Sequence, residues 1–208
     1  MPLTDRETTE GATGRRIRVE LGQAYPTLNR TRKLHFAAYA RHRKAIALEI
    51  KIALGKNLPN PPFVFARVLI ERRSSGMPDD DNLRGGAKAL IDCLVSPQGG
   101  RHPDGLGIIL DDNPFLVQLE VRPVLLPSKG KGSTMIEVIE IDPEHPKERE
   151  RLAAMGVTPE AAMLLASRRT SPRHRQRSAA IKAAPPARMS AADYQRTIAR
   201  KGPGGKRK

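Results

Sequence analysis

The sequence predicts an α/β domain: a small mixed β-sheet of about four strands with two main helices, in the order β-α-β-α-β-β. Three observations carry that expectation. Residues 16–21 (RIRVEL) and 135–141 (MIEVIEI) alternate apolar with polar side chains, the period of a strand with one buried face. Two longer stretches, about 30–54 and 81–95, repeat apolar residues at helical spacing. The two kinds of segment are interleaved along the chain, with Pro- and Gly-rich breaks between them, as in a single α/β layer structure.

Residues 1–14 are polar and Gly/Thr-rich and read as a flexible N-terminus. The first strand, 16–21, turns Ile17, Val19 and Leu21 inward and has the composition of an edge. Pro26-Thr27-Leu28-Asn29 ends it. The first long helix, from about 30 to 54, is expected to bury Leu34, Ala38, Ala45, Leu48 and Ile52. Its other side is basic, with Arg30, Arg32, Lys33, Arg41, Arg43, Lys44 and Lys51; this is either a solvated face or a phosphate-contacting one. His35 and His42 have no partner at metal-site spacing and read as surface or packing groups.

Residues 56–62 form a turn before the strand 63–72, which delivers the chain to Met77-Pro78-Asp79. Arg72 and Arg73 lie on that approach and join the candidate DNA contacts. The second helix places Leu83, Ala87, Leu90, Ile91 and Leu94 on one face, and Arg84, Lys88 and Asp92 at i,i+4 on another. Gly85 and Gly86 inside it cost about 1 kcal/mol each relative to Ala, so something must approach closely there. A Gly/Pro-rich loop, 96–107, leads to the apolar run Ile108-Ile109-Leu110 and the pair Asp111-Asp112. The strand 115–121, a basic hairpin turn over 125–132, and the strand 135–141 complete the domain.

The folded domain is thus expected over 15–142. Residues 143–208 read as a basic, largely disordered tail with a short helix possible at 159–166. From His145 to Lys208 there are sixteen Lys/Arg against four Asp/Glu, so most of the formal charge of +15 lies in the last third. Nucleic acid is the obvious polyanionic partner, although ribosomal or anionic-membrane attachment would suit the same charges. No apolar run approaches the ~20 residues of a bilayer span, and the first residues lack a secretory pattern. The expectation is a cytoplasmic protein with no membrane association. A single cysteine, Cys93, excludes an intrachain disulfide and a cysteine-rich zinc site, and its apolar surroundings favour a buried side chain over a nucleophile. With no Trp, three Tyr and four Phe, aromatic base-stacking platforms are poorly supplied.

The candidate site is Asp79, Asp81 and Asp112, with Lys88 nearby. One carboxylate suffices to cap a helix, and 77–83 supplies three in a row. Carboxylates from a helix start and a second loop can share a hard divalent cation, which would activate water for phosphate-ester hydrolysis. Lys88 could serve the scissile phosphate or form a plain salt bridge to Asp92. An over-capped helix is the bland alternative. Phosphatases and nucleotidyl transferases use such sites as well, but neither a GxxxxGK[ST] loop nor a dinucleotide fingerprint is present.

Asp79-x-Asp81-Asn82-Leu83, Lys88 followed by Asp92, and Leu110-Asp111-Asp112 together resemble the RusA family of Holliday junction resolvases, particularly its phage and prophage relatives. Pro26-Thr27-Leu28-Asn29-Arg30 before a basic helix resembles the family's N-terminal region. The resemblance covers roughly 16–141. It implies a RusA-like α/β homodimer that binds four-way DNA junctions in recombination and repair. Such a dimer uses Mg²⁺ or Mn²⁺ to nick two opposed strands symmetrically. The family's three essential aspartates fall on Asp79, Asp81 and Asp112. Its catalytic lysine falls on Lys88 if about three extra residues around Arg84-Gly85-Gly86 are allowed. The resemblance also adds Asn29 to the candidate DNA contacts. A non-catalytic nucleic-acid-binding or architectural protein with the same fold is the competing expectation.

Overall fold

The computed structural model describes residues 11–97, 102–127 and 130–170. Four strands form one mixed sheet in the order β1-β4-β2-β3: β1 (Ala12–Leu21), β2 (Ala66–Ser74), β3 (Val117–Leu125) and β4 (Ser133–Ile141). β4 runs antiparallel to both β1 and β2, while β2 and β3 are parallel. The expected edge strand is β1, extended back to Ala12 with an irregularity between Ala12 and Arg16. Ile17, Val19 and Leu21 are buried, as the alternation requires.

The expected hairpin over 125–132 does not form. β3 and β4 both lie beside β2 and do not pair with each other. Their connection passes the end of β2: Leu126 N–H donates to Ser74 O, and a side chain at Gly132 would meet Arg73 O at 2.5 Å. Alternation shows which face of a strand is buried and carries no information about its neighbour.

The first long helix also differs from expectation. It is two elements, α1 (Leu28–Thr31) and α2 (Phe36–Leu54). His35 starts the second, its Nδ1 accepting Ala37 N–H at 3.3 Å. The buried side is Ile46, Ala47, Ile50 and Leu54, whereas Leu34, Leu48 and Ile52 are exposed, Ile52 by 72%. Ala45 is exposed and Ala38 only partly buried. Apolar residues lie on more than one side of α2, so periodicity could not choose the face that meets the sheet.

The next helix, α3 (Asp80–Leu94), buries Leu83, Ala87, Leu90, Ile91 and Leu94 as expected, together with Cys93. Two further helices follow the last strand, α4 (Pro146–Ala154) and α5 (Pro159–Thr170). Leu152 and Ala162 are fully buried and belong to the main core. Arg151 donates to Pro114 O and Phe115 O at 2.8 and 3.0 Å, fastening α4 to the segment before β3. The packed body therefore continues past the expected end at 142. The basic run from 171 onward, like residues 1–10, lies outside the described residues.

Candidate metal and nucleic-acid site

The site is built on the N-terminal half of α3. Asp79 is its N-cap: Oδ1 accepts Asn82 N–H at 2.8 Å, and Oδ2 accepts the Asn82 side-chain amide at 2.9 Å. The backbone bond, helped by the side-chain one, holds the Asp79 carboxyl below its usual range. Asp80 pairs with Arg84 at 2.8 Å on the exposed side. Asp81 is exposed, and its side chain makes no hydrogen bond or ion pair among the described residues. The three aspartates thus divide their work, one capping, one pairing and one left open.

The two glycines explain what lies against this helix. A side chain at Gly85 would meet Leu28 Cδ2 at 2.6 Å, and one at Gly86 would meet Pro26 O at 2.4 Å. The Pro26–Leu28 backbone and side chains therefore lie directly on the second turn of α3. Tyr25 fixes this approach: its hydroxyl donates to Leu83 O at 3.1 Å, and its N–H donates to Thr134 Oγ1 at 2.9 Å. Burial pushes the Tyr25 phenol well above its usual range, against the pull of Arg72. Asn29 N–H donates to Asn82 Oδ1 at 3.0 Å and completes the docking.

The result is an open cleft of about 500 Å³ lined by Asn29, Arg32, Asp79, Asp81, Asn82 and Arg84, among others. Carboxylates and cationic or amide donors share its walls. The cleft joins residues about fifty positions apart in the chain, and the glycine pair is what allows their elements to meet.

Asp112 is held differently. Ile109 bridges Phe63 and Val95, which places Asp111 and Asp112 just beyond the body of the sheet. Asp111 is buried, and its Oδ1 accepts Asp112 N–H at 2.9 Å. Lys88 Nζ stands 2.7 Å from Asp112 Oδ2 and 2.8 Å from Asp92 Oδ1. Partial burial works against ionisation of both Lys88 and Asp112, but the ion pair prevails. Lys88 is held above its ordinary value of 10.5, and Asp112 below its ordinary 3.8. Lys88 therefore engages its expected partner Asp92 and, in addition, Asp112, which the sequence did not pair with it.

Asp79 and Asp81 come together at one cleft, and Asp112 comes to Lys88 two turns along the same helix. Among the described residues, no three His, Cys, Asp or Glu side chains form a group that could hold a metal ion. The donor chemistry nevertheless suits Mg²⁺ or Mn²⁺: hard carboxylate oxygens stand at an open cleft, and Mg²⁺ commonly takes only one or two protein carboxylates and keeps its waters.

Of the expected DNA contacts, Asn29, Arg30, Arg32, Lys33, Arg41 and Lys44 are exposed. Arg43 is instead paired with Asp104 at 2.8 Å, largely buried. Arg72 donates to Tyr25 O and Ser74 Oγ, and Arg73 to Glu71 and Glu20. Sequence reasoning missed Asp104 and His102, whose Nδ1 lies 3.3 Å from Asp92 Oδ1. Neither stands at a spacing that would pair it with its partner. Compared with known proteins, the chain matches no family model and no curated sequence.

Proposed function

We propose that this protein is a metal-dependent endodeoxyribonuclease of the RusA kind, which hydrolyses phosphodiester bonds to resolve four-way junctions by symmetric paired nicks. The observation that carries the reading is the cleft where Asp79 and Asp81 share walls with Asn29 and Arg32. Such walls suit a cation and a phosphate at once. Mg²⁺ or Mn²⁺, when bound, would polarise the scissile phosphate and lower the pKa of the attacking water. Asp79 and Asp81 would hold it; Asp112, the third expected ligand, stands instead against Lys88.

Lys88, protonated at neutral pH, is a cation for the phosphate or leaving oxygen and not a base. Arg30, Arg32, Lys33, Arg41 and Lys44 are free to meet phosphates from the exposed side. Resolving a two-fold symmetric junction takes two such sites, hence a homodimer. No helix among the described residues is long and apolar enough to cross a membrane.

Labelled four-way junctions incubated with the protein and Mg²⁺ or Mn²⁺ should yield paired nicks near the crossover, and chelation by EDTA should stop them. Asp81→Asn should abolish cleavage and leave junction binding largely intact, since its side chain supports nothing else in the fold. Light scattering should report twice the mass of one chain. A second reading, an architectural junction-binding protein, is favoured by the Lys88–Asp112 ion pair, which already neutralises one proposed ligand. Junction binding with no product in either metal, and no metal affinity by calorimetry, would establish it over the nuclease.

A further inference from the structure

We propose that His102 is a positioning residue for Lys88, acting through Asp92 and the loop 102–107. Four side chains stand in a line: Asp112 Oδ2 is 2.7 Å from Lys88 Nζ, which is 2.8 Å from Asp92 Oδ1, which is 3.3 Å from His102 Nδ1. Asp92 and His102 are both largely buried, with side chains 12% and 17% exposed. Asp92 Oδ1 is buried and has hydrogen-bond geometry to neither neighbour, so Lys88 and His102 together confine that carboxylate by close contact.

The loop is built to hold His102 there. Its backbone lies in the left-handed region, with φ at 47°, which side chains with a Cβ seldom adopt. Neighbouring contacts impose that conformation. Gly105 N–H donates to His102 O at 2.9 Å, and Leu106 N–H donates to Cys93 O at 2.8 Å. A side chain at Gly105 would stand 2.2 Å from Val95 O, so the loop lies tightly on the end of α3. Asp104 pairs with Arg43 of α2, which ties the same loop to a second helix. Contacts with two helices thus fix the loop that carries the imidazole, the imidazole packs against Asp92, and Asp92 pairs with the ammonium of Lys88.

Four variants of the full chain test this, by two readouts. His102→Gly removes the ring without straining the backbone. His102→Asn tolerates a left-handed conformation and returns a side-chain donor. The first readout is acetylation of Lys88 by acetic anhydride, quantified by mass spectrometry against exposed Lys56. His102→Gly should label Lys88 severalfold faster, and His102→Asn should return the rate toward that of the unaltered protein. If His102→Gly lowers solubility, Asp92→Asn stands in, because it should speed labelling as well. Adding His102→Gly to Asp92→Asn should change nothing further; additive effects would overturn the route through Asp92.

The second readout rests on the nuclease reading. His102→Gly should lower kcat roughly tenfold with KM for the junction unchanged, as expected for a displaced catalytic cation. A changed KM with kcat intact, or an unchanged Lys88 labelling rate, would overturn the proposal. Lack of cleavage by the unaltered chain would remove the nuclease reading instead and leave the labelling result to decide the role of His102.

Discussion

Lys88 sits between two carboxylates, and the signs of the shifts fix the pH range over which that arrangement lasts. Asp112 ionises below its ordinary value, so its contribution to stability is present above that value and fades as pH falls through the lowered one. Lys88 titrates above its ordinary 10.5, so its contribution is complete below that value and fades as pH rises through the raised one. The pair should therefore hold between the two ordinary values, 3.8 and 10.5. Urea unfolding of the protein and of Asp112→Asn should show a constant stability difference across that range and a shrinking one below it. A difference that peaks near neutrality would mean that another group governs the pair. Cys93 illustrates the opposite case. Burial pushes its thiol up to about 12, outweighing the help of Arg43, so it carries no thiolate chemistry near neutral pH.

The elements set those residues in place, and Gly86 is where α3 depends on another part of the chain. Alanine there would gain about 1 kcal/mol in helix propensity. It would also drive a methyl group into the Pro26 carbonyl, and such overpacking costs roughly 1–3 kcal/mol. Gly86→Ala should therefore lower stability and open the Asp79–Asn29 cleft, whereas Gly85→Ala should cost less because the Leu28 side chain can turn aside. Thermal melts of the two variants give the comparison. The close approach was legible in the sequence, since paired glycines within a helix have few other uses; its source, Pro26–Leu28, was not. Strand faces were legible for the same kind of local reason, as Ile17, Val19 and Leu21 show. The Asp79 cap and the Lys88–Asp92 spacing could also be read locally. The buried face of α2, the strand order and the Lys88–Asp112 pair could not, because each is decided by segments distant in sequence. Leu152 is the clearest case: it is a lone apolar residue among charges in KERERL, yet fully buried. Leu152→Ala should cost about 2–5 kcal/mol, measured as the shift in unfolding midpoint. A surface-like change of a few tenths would mean that α4 is not part of the core.

At the scale of the whole molecule, α4 and α5 move the place where a tail can be separated from the body. Removing everything after 142 would strip Leu152 and Ala162 from the core, so loss of DNA binding by such a chain would be uninterpretable. Ending the chain at Thr170 keeps both helices. It still removes eleven Lys/Arg and one Asp, most of the net positive charge. Those charges are interspersed with Pro, Gly and Ala, a composition suited to following a phosphate backbone and poorly suited to presenting a fixed pattern to base edges. Each duplex phosphate they neutralise would contribute about 0.9 to the slope of log affinity against log salt. The shortened protein should bind junctions and plain duplex more weakly by similar factors, with a flatter salt slope, and should cut at the same positions as the full chain. A melting curve first confirms that the body is intact. If that curve is unchanged but the preference for junctions over duplex disappears, residues 171–208 belong to the surface that recognises the junction, and branch recognition cannot be assigned to the cleft and the basic side of α2 alone.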